Sequence, residues 1–191
     1  MATTKSGKYW VTWANTHAKN SSKIDDLDAT FKPKVKDFIK ALEDGGATVK
    51  VKATKRNKKR AYLFHWSWKI YLGKCKASDA TKLAGVDIKW DHGDAEKSKA
   101  GAKEMVTGFK LAVPPKSVFA PSMTSNHISG KAIDMEITWK GKIKVKKKDG
   151  TEVLVDFKSN VKLNTILHSI GASYGVKKLV KDAPHWSSDG K

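Results

Sequence analysis

Ser125-Asn-His-Ile-Ser-Gly-Lys-Ala-Ile-Asp134 is the stretch on which the reading of this 191-residue chain turns. It carries an imidazole, His127, and a carboxylate, Asp134, on either side of Gly130, whose missing side chain permits a tight backbone path. After that turn, Ala132 to Ile137 alternates as a strand, which places Ala132, Asp134 and Glu136 on one face. The small Ala132 leaves room beside Asp134. A second string, Asp182-Ala-Pro-His-Trp186, offers another imidazole, His185. Two histidines and one carboxylate leave a tetrahedral Zn²⁺ one open position, the pattern of catalytic rather than closed structural sites. Water at such a position is acidified towards a pKa of about 7. Asp182, three residues before His185, is spaced to take that water's proton without ligating the metal. His127, Asp134 and His185 are therefore expected to hold zinc, with Asp182 as general base.

Working outward, Leu27, Phe31, Val35, Phe38, Ile39 and Leu42 follow a helical period that Gly45-Gly46 ends, with Pro33 confined to the first turn. A short strand is expected over Ala47 to Val51 and a buried, aromatic helix over Ala61 to Leu72, with Arg56 at the junction between them. Gly85 to Gly93 reads as a loop or short extended piece, and Ala95 to Phe109 as another helix. Beyond the motif, Lys140 to Phe157 reads as a hairpin turning at Asp149-Gly150. A helix from about Asn160 to Ile170 follows, and then a last strand bearing His185. Residues 1–25 are polar and read as a loosely packed lead-in, which Trp10 and Trp13 can pin to the body.

The chain is 39% apolar, enough for one core, and its length argues for a single domain over residues 26–191. A lone Cys75 provides neither an intramolecular disulfide nor a thiolate cluster. No stretch approaches the roughly 18 apolar residues of a membrane span, and the first residues lack the apolar core of a secretory signal. Export then uses another route, or a leader has been processed away. Lys and Arg number 38 against 19 Asp and Glu, a formal charge of +19. Such a field attracts polyanions. The charge is Lys-dominated and spread without stacking aromatics, so no specific nucleic-acid reader is visible; solubility, or attraction to anionic wall polymers or lipid headgroups, accounts for it.

The pattern Ser-x-His-x-x-Gly-x-Ala-x-Asp at Ser125 to Asp134, and acid-x-x-His-Trp at Asp182 to Trp186, resemble the zinc D,D-carboxypeptidase and L-alanyl-D-glutamate endopeptidase family of peptidoglycan peptidases, which share a fold with the hedgehog signalling domain. The segment from Arg56 to Trp68 resembles the family's stretch bearing a substrate-facing arginine, although the usual Arg-Pro-Pro is here Arg56-Asn-Lys. The similarity spans about Leu27 to Gly190. It implies an α+β fold in which helices pack on one face of a small antiparallel sheet, and zinc-dependent hydrolysis of an amide in peptidoglycan stem peptides. It implies Arg56, or alternatively Arg60, facing the substrate. Ser125 is expected to hydrogen-bond substrate or a ligand, and Trp186 to wall the site. The expected setting is the cell wall or periplasm, reached from the cytoplasm as a phage lysis enzyme or a delivered bacterial toxin, acting as a monomer. Carboxypeptidase and endopeptidase action both stay open. The alternatives are a non-catalytic wall-binding module with a vestigial zinc site and, on charge alone, a nucleic-acid binder.

Overall fold

The structure, a computed structural model, describes residues 5–191. Its elements run α1 (Lys8–His17), α2 (Lys32–Asp44), β1 (Thr48–Ala53), α3 (Lys58–Tyr71), α4 (Ala95–Gly108), β2 (Ala132–Thr138), β3 (Lys142–Lys146), β4 (Glu152–Asp156), α5 (Thr165–Ser173), β5 (Lys177–Lys178) and β6 (His185–Ser187), with short 3-10 turns between them. The chain is α+β and forms two compact units.

One unit comprises the residues up to Lys19 together with Asn57–Thr124 and is helical. Asn57 caps α3 by accepting from the Lys59 amide, and Asp94 caps α4 by accepting from the Lys97 amide, which satisfies N–H groups that have no partner inside the helix. The core of this unit gathers Trp10, Val11 and Ala14 of α1, Tyr62, Leu63 and Trp66 of α3, Ala102 and Met105 of α4, and Trp90. The lead-in reading of residues 1–25 is corrected here, because Lys8–His17 is a helix with one buried face. Polar Thr12, Asn15 and Thr16 hide that face in the sequence by diluting its average hydrophobicity.

The other unit, Asn20–Arg56 with Ser125–Lys191, holds the sheet. Four strands pair antiparallel in the order β1-β2-β6-β5, and β3 and β4 form a separate hairpin. Ile133, Met135 and Ile137 of β2 join Val35, Phe38, Ile39 and Leu42 of α2 and Leu167 and Ile170 of α5 in one core. The two helices of this unit thus cover the sheet face to which those odd-numbered β2 residues point. Alternation sends Ala132, Asp134 and Glu136 the other way.

Two boundaries moved from their sequence expectation. The periodic run from Leu27 becomes helical only at Lys32, with Pro33 in the first turn, where its missing N–H costs nothing. The helix expected from Asn160 divides into a 3-10 turn at Val161–Leu163 and α5. Buried Asn164 causes the break: its Oδ1 accepts from the Leu167 amide while its Nδ2 donates to the Asp156 carbonyl, so it serves as the cap of a new helix.

Candidate metal centre

Register assembles the site. Asp134 on β2 lies directly opposite His185 on β6, and directly opposed residues of an antiparallel pair project from the same face. On the other flank of β2, β1 runs on to Thr54, a fully buried residue whose Oγ1 donates to the Lys23 carbonyl and whose amide donates to the Ser21 carbonyl. The Thr54 carbonyl accepts from His127 Nδ1 at 2.6 Å. The His127 loop is closed from within, since the Ser125 Oγ accepts from the His127 amide and the Ser125 carbonyl from the Ile128 amide. Gly130 takes φ +72°, and a Cβ there would stand 2.8 Å from the Asp28 backbone nitrogen, whose N–H donates to the Gly130 carbonyl. Glycine is therefore required by conformation and by space together.

The result is a triangle. His127 Nε2, His185 Nδ1 and Asp134 Oδ1 are each 3.2 Å from the other two. A tetrahedral face with that edge has its centre about 2.0 Å from each corner, the usual length of zinc–nitrogen and zinc–oxygen bonds. Hydrogen bonding also fixes which nitrogen of each ring is available. A main-chain oxygen accepts, so His127 carries its proton on Nδ1, facing Thr54, and His185 carries one on Nε2, 3.2 Å from the Lys191 main-chain oxygen. In neutral rings the two inward nitrogens and the carboxylate then converge as lone pairs, an arrangement that calls for a cation between them. These three residues can hold a metal ion.

The electrostatics agree. Burial disfavours the charged form of Asp134, but hydrogen bonds and charge from His127 and His185 outweigh it and hold the carboxyl well below the usual range. Burial likewise opposes protonation of His127; Asp134 and the Thr54 carbonyl overcome it and raise the pKa, with Arg56 working against them. Both histidine side chains are buried, while the Asp134 side chain stays 24% exposed, so the triangle opens at its carboxylate corner.

The structure accounts for the remaining expected residues one by one. Arg56 donates its backbone amide to the His127 carbonyl at 2.9 Å, and among the described residues nothing hydrogen-bonds or ion-pairs its guanidinium. Asp182 sits in the turn before β6; its carbonyl accepts from the His185 amide, and its side chain is exposed. Ser125 shapes the ligand loop. Arg60 lies within the helical unit, where its fork donates to the Ala14 carbonyl and to Asn15 Oδ1 and its guanidinium lies over Phe64 and Phe109, so two of its five N–H donors hold α1 to α3. Trp186 is corrected. It is fully buried, its ring 5.3 Å from that of Phe38 in the core, because the residue after His185 on a strand must face the opposite side.

Lys178 escaped sequence reading. It is only 8% exposed, and its Nζ donates to the carbonyls of Leu179, Asp182 and His185, tying down the turn that bears Asp182 and His185. Burial draws its ammonium down to about 8 against the pull of the Asp182 carboxylate. In a chain with so many lysines, nothing in the sequence distinguishes this one. No family model, curated protein or solved structure matches the chain.

Proposed function

We propose that this chain is a zinc peptidase acting on the stem peptides of peptidoglycan. The observation that carries the metal part of this reading is the 3.2 Å triangle of His127 Nε2, His185 Nδ1 and Asp134 Oδ1, with both outward ring nitrogens against main-chain oxygens. Nitrogen and carboxylate donors at this spacing suit zinc, and three protein ligands are the number found in catalytic sites. The substrate class rests on the resemblance of the two motifs.

Zinc held there supplies Lewis acidity to a carbonyl oxygen and acidifies water. The chain supplies the remainder. Asp182, carried on the turn that leads into His185, accepts a proton from the attacking water as the C–O bond forms and returns it to the departing amine as the C–N bond breaks. Arg56, whose guanidinium has no hydrogen-bond or ion-pair partner among the described residues and whose backbone is bonded to His127, presents a planar fork to a substrate carboxylate or to the developing oxyanion. The closed backs of both histidines keep the ligand nitrogens aimed inward throughout.

Digestion of purified peptidoglycan with the zinc-loaded protein, followed by fragment masses, tests this reading and identifies the bond. New amine termini within stem peptides are expected; binding without any new amine would leave a wall-binding module instead. Asp182→Asn should keep its zinc and lose rate by about a hundredfold or more, the scale of a lost general base. Near-normal turnover in that variant would remove Asp182 from the mechanism.

A further inference from the structure

The outward nitrogen of His185 has an unusual partner. His127 is backed by Thr54, at the end of a sheet strand, whereas His185 Nε2 lies against the main-chain oxygen of Lys191, six residues further along its own segment. That oxygen is held by a compact set of bonds. Asn126 Nδ2 donates to it at 2.9 Å and also to Asp189 Oδ1 at 2.8 Å. Asp189 Oδ1 accepts in addition from the Lys191 amide and from Ser187 Oγ, and the Gly190 amide donates to Ser187 Oγ. Asn126 immediately precedes His127, so a single side chain joins the loop of one ligand to the bracket behind the other. Hydrogen bonds to the Asp189 carboxylate hold its pKa low, which keeps it ionised as an acceptor.

We propose that Asp189, Gly190 and Lys191, joined through Asn126, form a positioning bracket that fixes the tautomer and orientation of His185 and so sets metal affinity. This rests on the reading of His127, Asp134 and His185 as metal ligands. A histidine ligand needs one ring nitrogen deprotonated and aimed, and a main-chain oxygen that accepts from the other nitrogen imposes both; losing such a partner typically weakens metal binding about 10- to 100-fold. None of these residues is in the core, so the bracket acts through His185 rather than through hydrophobic packing.

The test is a Co²⁺ titration read by visible absorption, with zinc competition on the same samples, comparing the intact chain, Asp189→Ala and a deletion of residues 189–191. The expected result is about 10- to 100-fold weaker binding in both variants, with a displaced d–d band and a far-UV spectrum like that of the intact chain. Equal affinity and an unchanged band would overturn the proposal. Should the deletion unfold the protein, long-range ¹H–¹⁵N spectra of the intact zinc-loaded chain decide: His185 must be protonated on Nε2 and metal-bound through Nδ1, and the opposite tautomer refutes the bracket while leaving the metal site standing. An intact chain that binds neither Co²⁺ nor zinc overturns the metal reading and the bracket with it.

Discussion

The helical unit and the sheet unit carry their polar groups in opposite ways. Six of the chain's acidic residues lie in the helical unit, where Lys99 and Glu96 make its one ion pair among the described residues, and its buried face is aromatic and aliphatic. The sheet unit has the other thirteen acids. It pairs many of them at its surface, as in Lys36–Asp25, Lys52–Glu136 and Lys148–Asp37, and it buries two histidines and a lysine. Buried charge has to be met by hydrogen bonds. Here the main-chain oxygens of Thr54, Leu179, Asp182, His185 and Lys191 meet it. These acceptors come from strand ends and irregular turns, where carbonyls escape the ladder; a helix interior has none to spare. The difference explains why the candidate metal centre belongs to the sheet unit.

The strongest way to break the contrast is to remove the ligands. A His127→Ala, His185→Ala double variant should lose stoichiometric zinc altogether, whereas hydrogen-exchange protection in α3 and α4 stays as it was. Elemental analysis showing about one zinc per chain in the variant would discard the site.

Proton competition sharpens the same contrast. Asp134 titrates below its ordinary 3.8 in the folded chain, so its contribution to stability is present above that pH and lost on further acidification. His127 is raised above 6.5, so its contribution is full below 6.5 and disappears as pH climbs through the higher folded value. Without metal, this cluster therefore stabilises most between those two values. On the proposed zinc reading the metal takes the place of the lost proton at higher pH, so the rise in melting temperature on adding zinc should be larger at pH 8.5 than at 5.5. Equal rises would contradict the assignment.

Lys178→Met keeps volume but removes an ammonium from three carbonyls. It should cost the sheet unit about 3 kcal/mol in chemical denaturation, the upper range for stranding buried acceptors. A loss below about 0.5 kcal/mol would reduce Lys178 to a bystander.

The smallest effect belongs to the helical unit. Tyr62 donates to the Thr81 carbonyl and accepts from Trp90 Nε1, and burial, partly offset by that indole, raises its phenol above 10. Tyr62→Phe should cost about 1 kcal/mol. Because the native phenol holds its proton longer than the unfolded one, the residue's contribution declines only above pH 10. A Tyr62→Phe penalty that instead varied between pH 5 and 8 would erase the distinction between the units.

Periodicity placed α2, α3, α4, β2 and the β3–β4 hairpin, because each shows its buried face as a repeat of apolar residues along the chain. It missed α1, whose three buried residues stand among two threonines and an asparagine, and it ran the helix at 160 through a cap that only Asn164's contact with Asp156 reveals. The three metal donors were legible as residue types at fixed offsets within two short strings. The expectation that Trp186 walls the site fails because strand alternation sends it into the core.

Sequence by itself therefore determined which side chains have the chemistry to bind a metal, since donor type is a property of the residue. Only the tertiary structure decided how they meet and what backs them. Asp134 and His185 are 51 positions apart in the chain and become neighbours through the register of β2 against β6. Their supporting groups are mostly main-chain carbonyls and one lysine among many. A carbonyl is present at every residue, so no residue type announces the one that will be left unpaired beside a ligand; the fold selects it by where each strand stops.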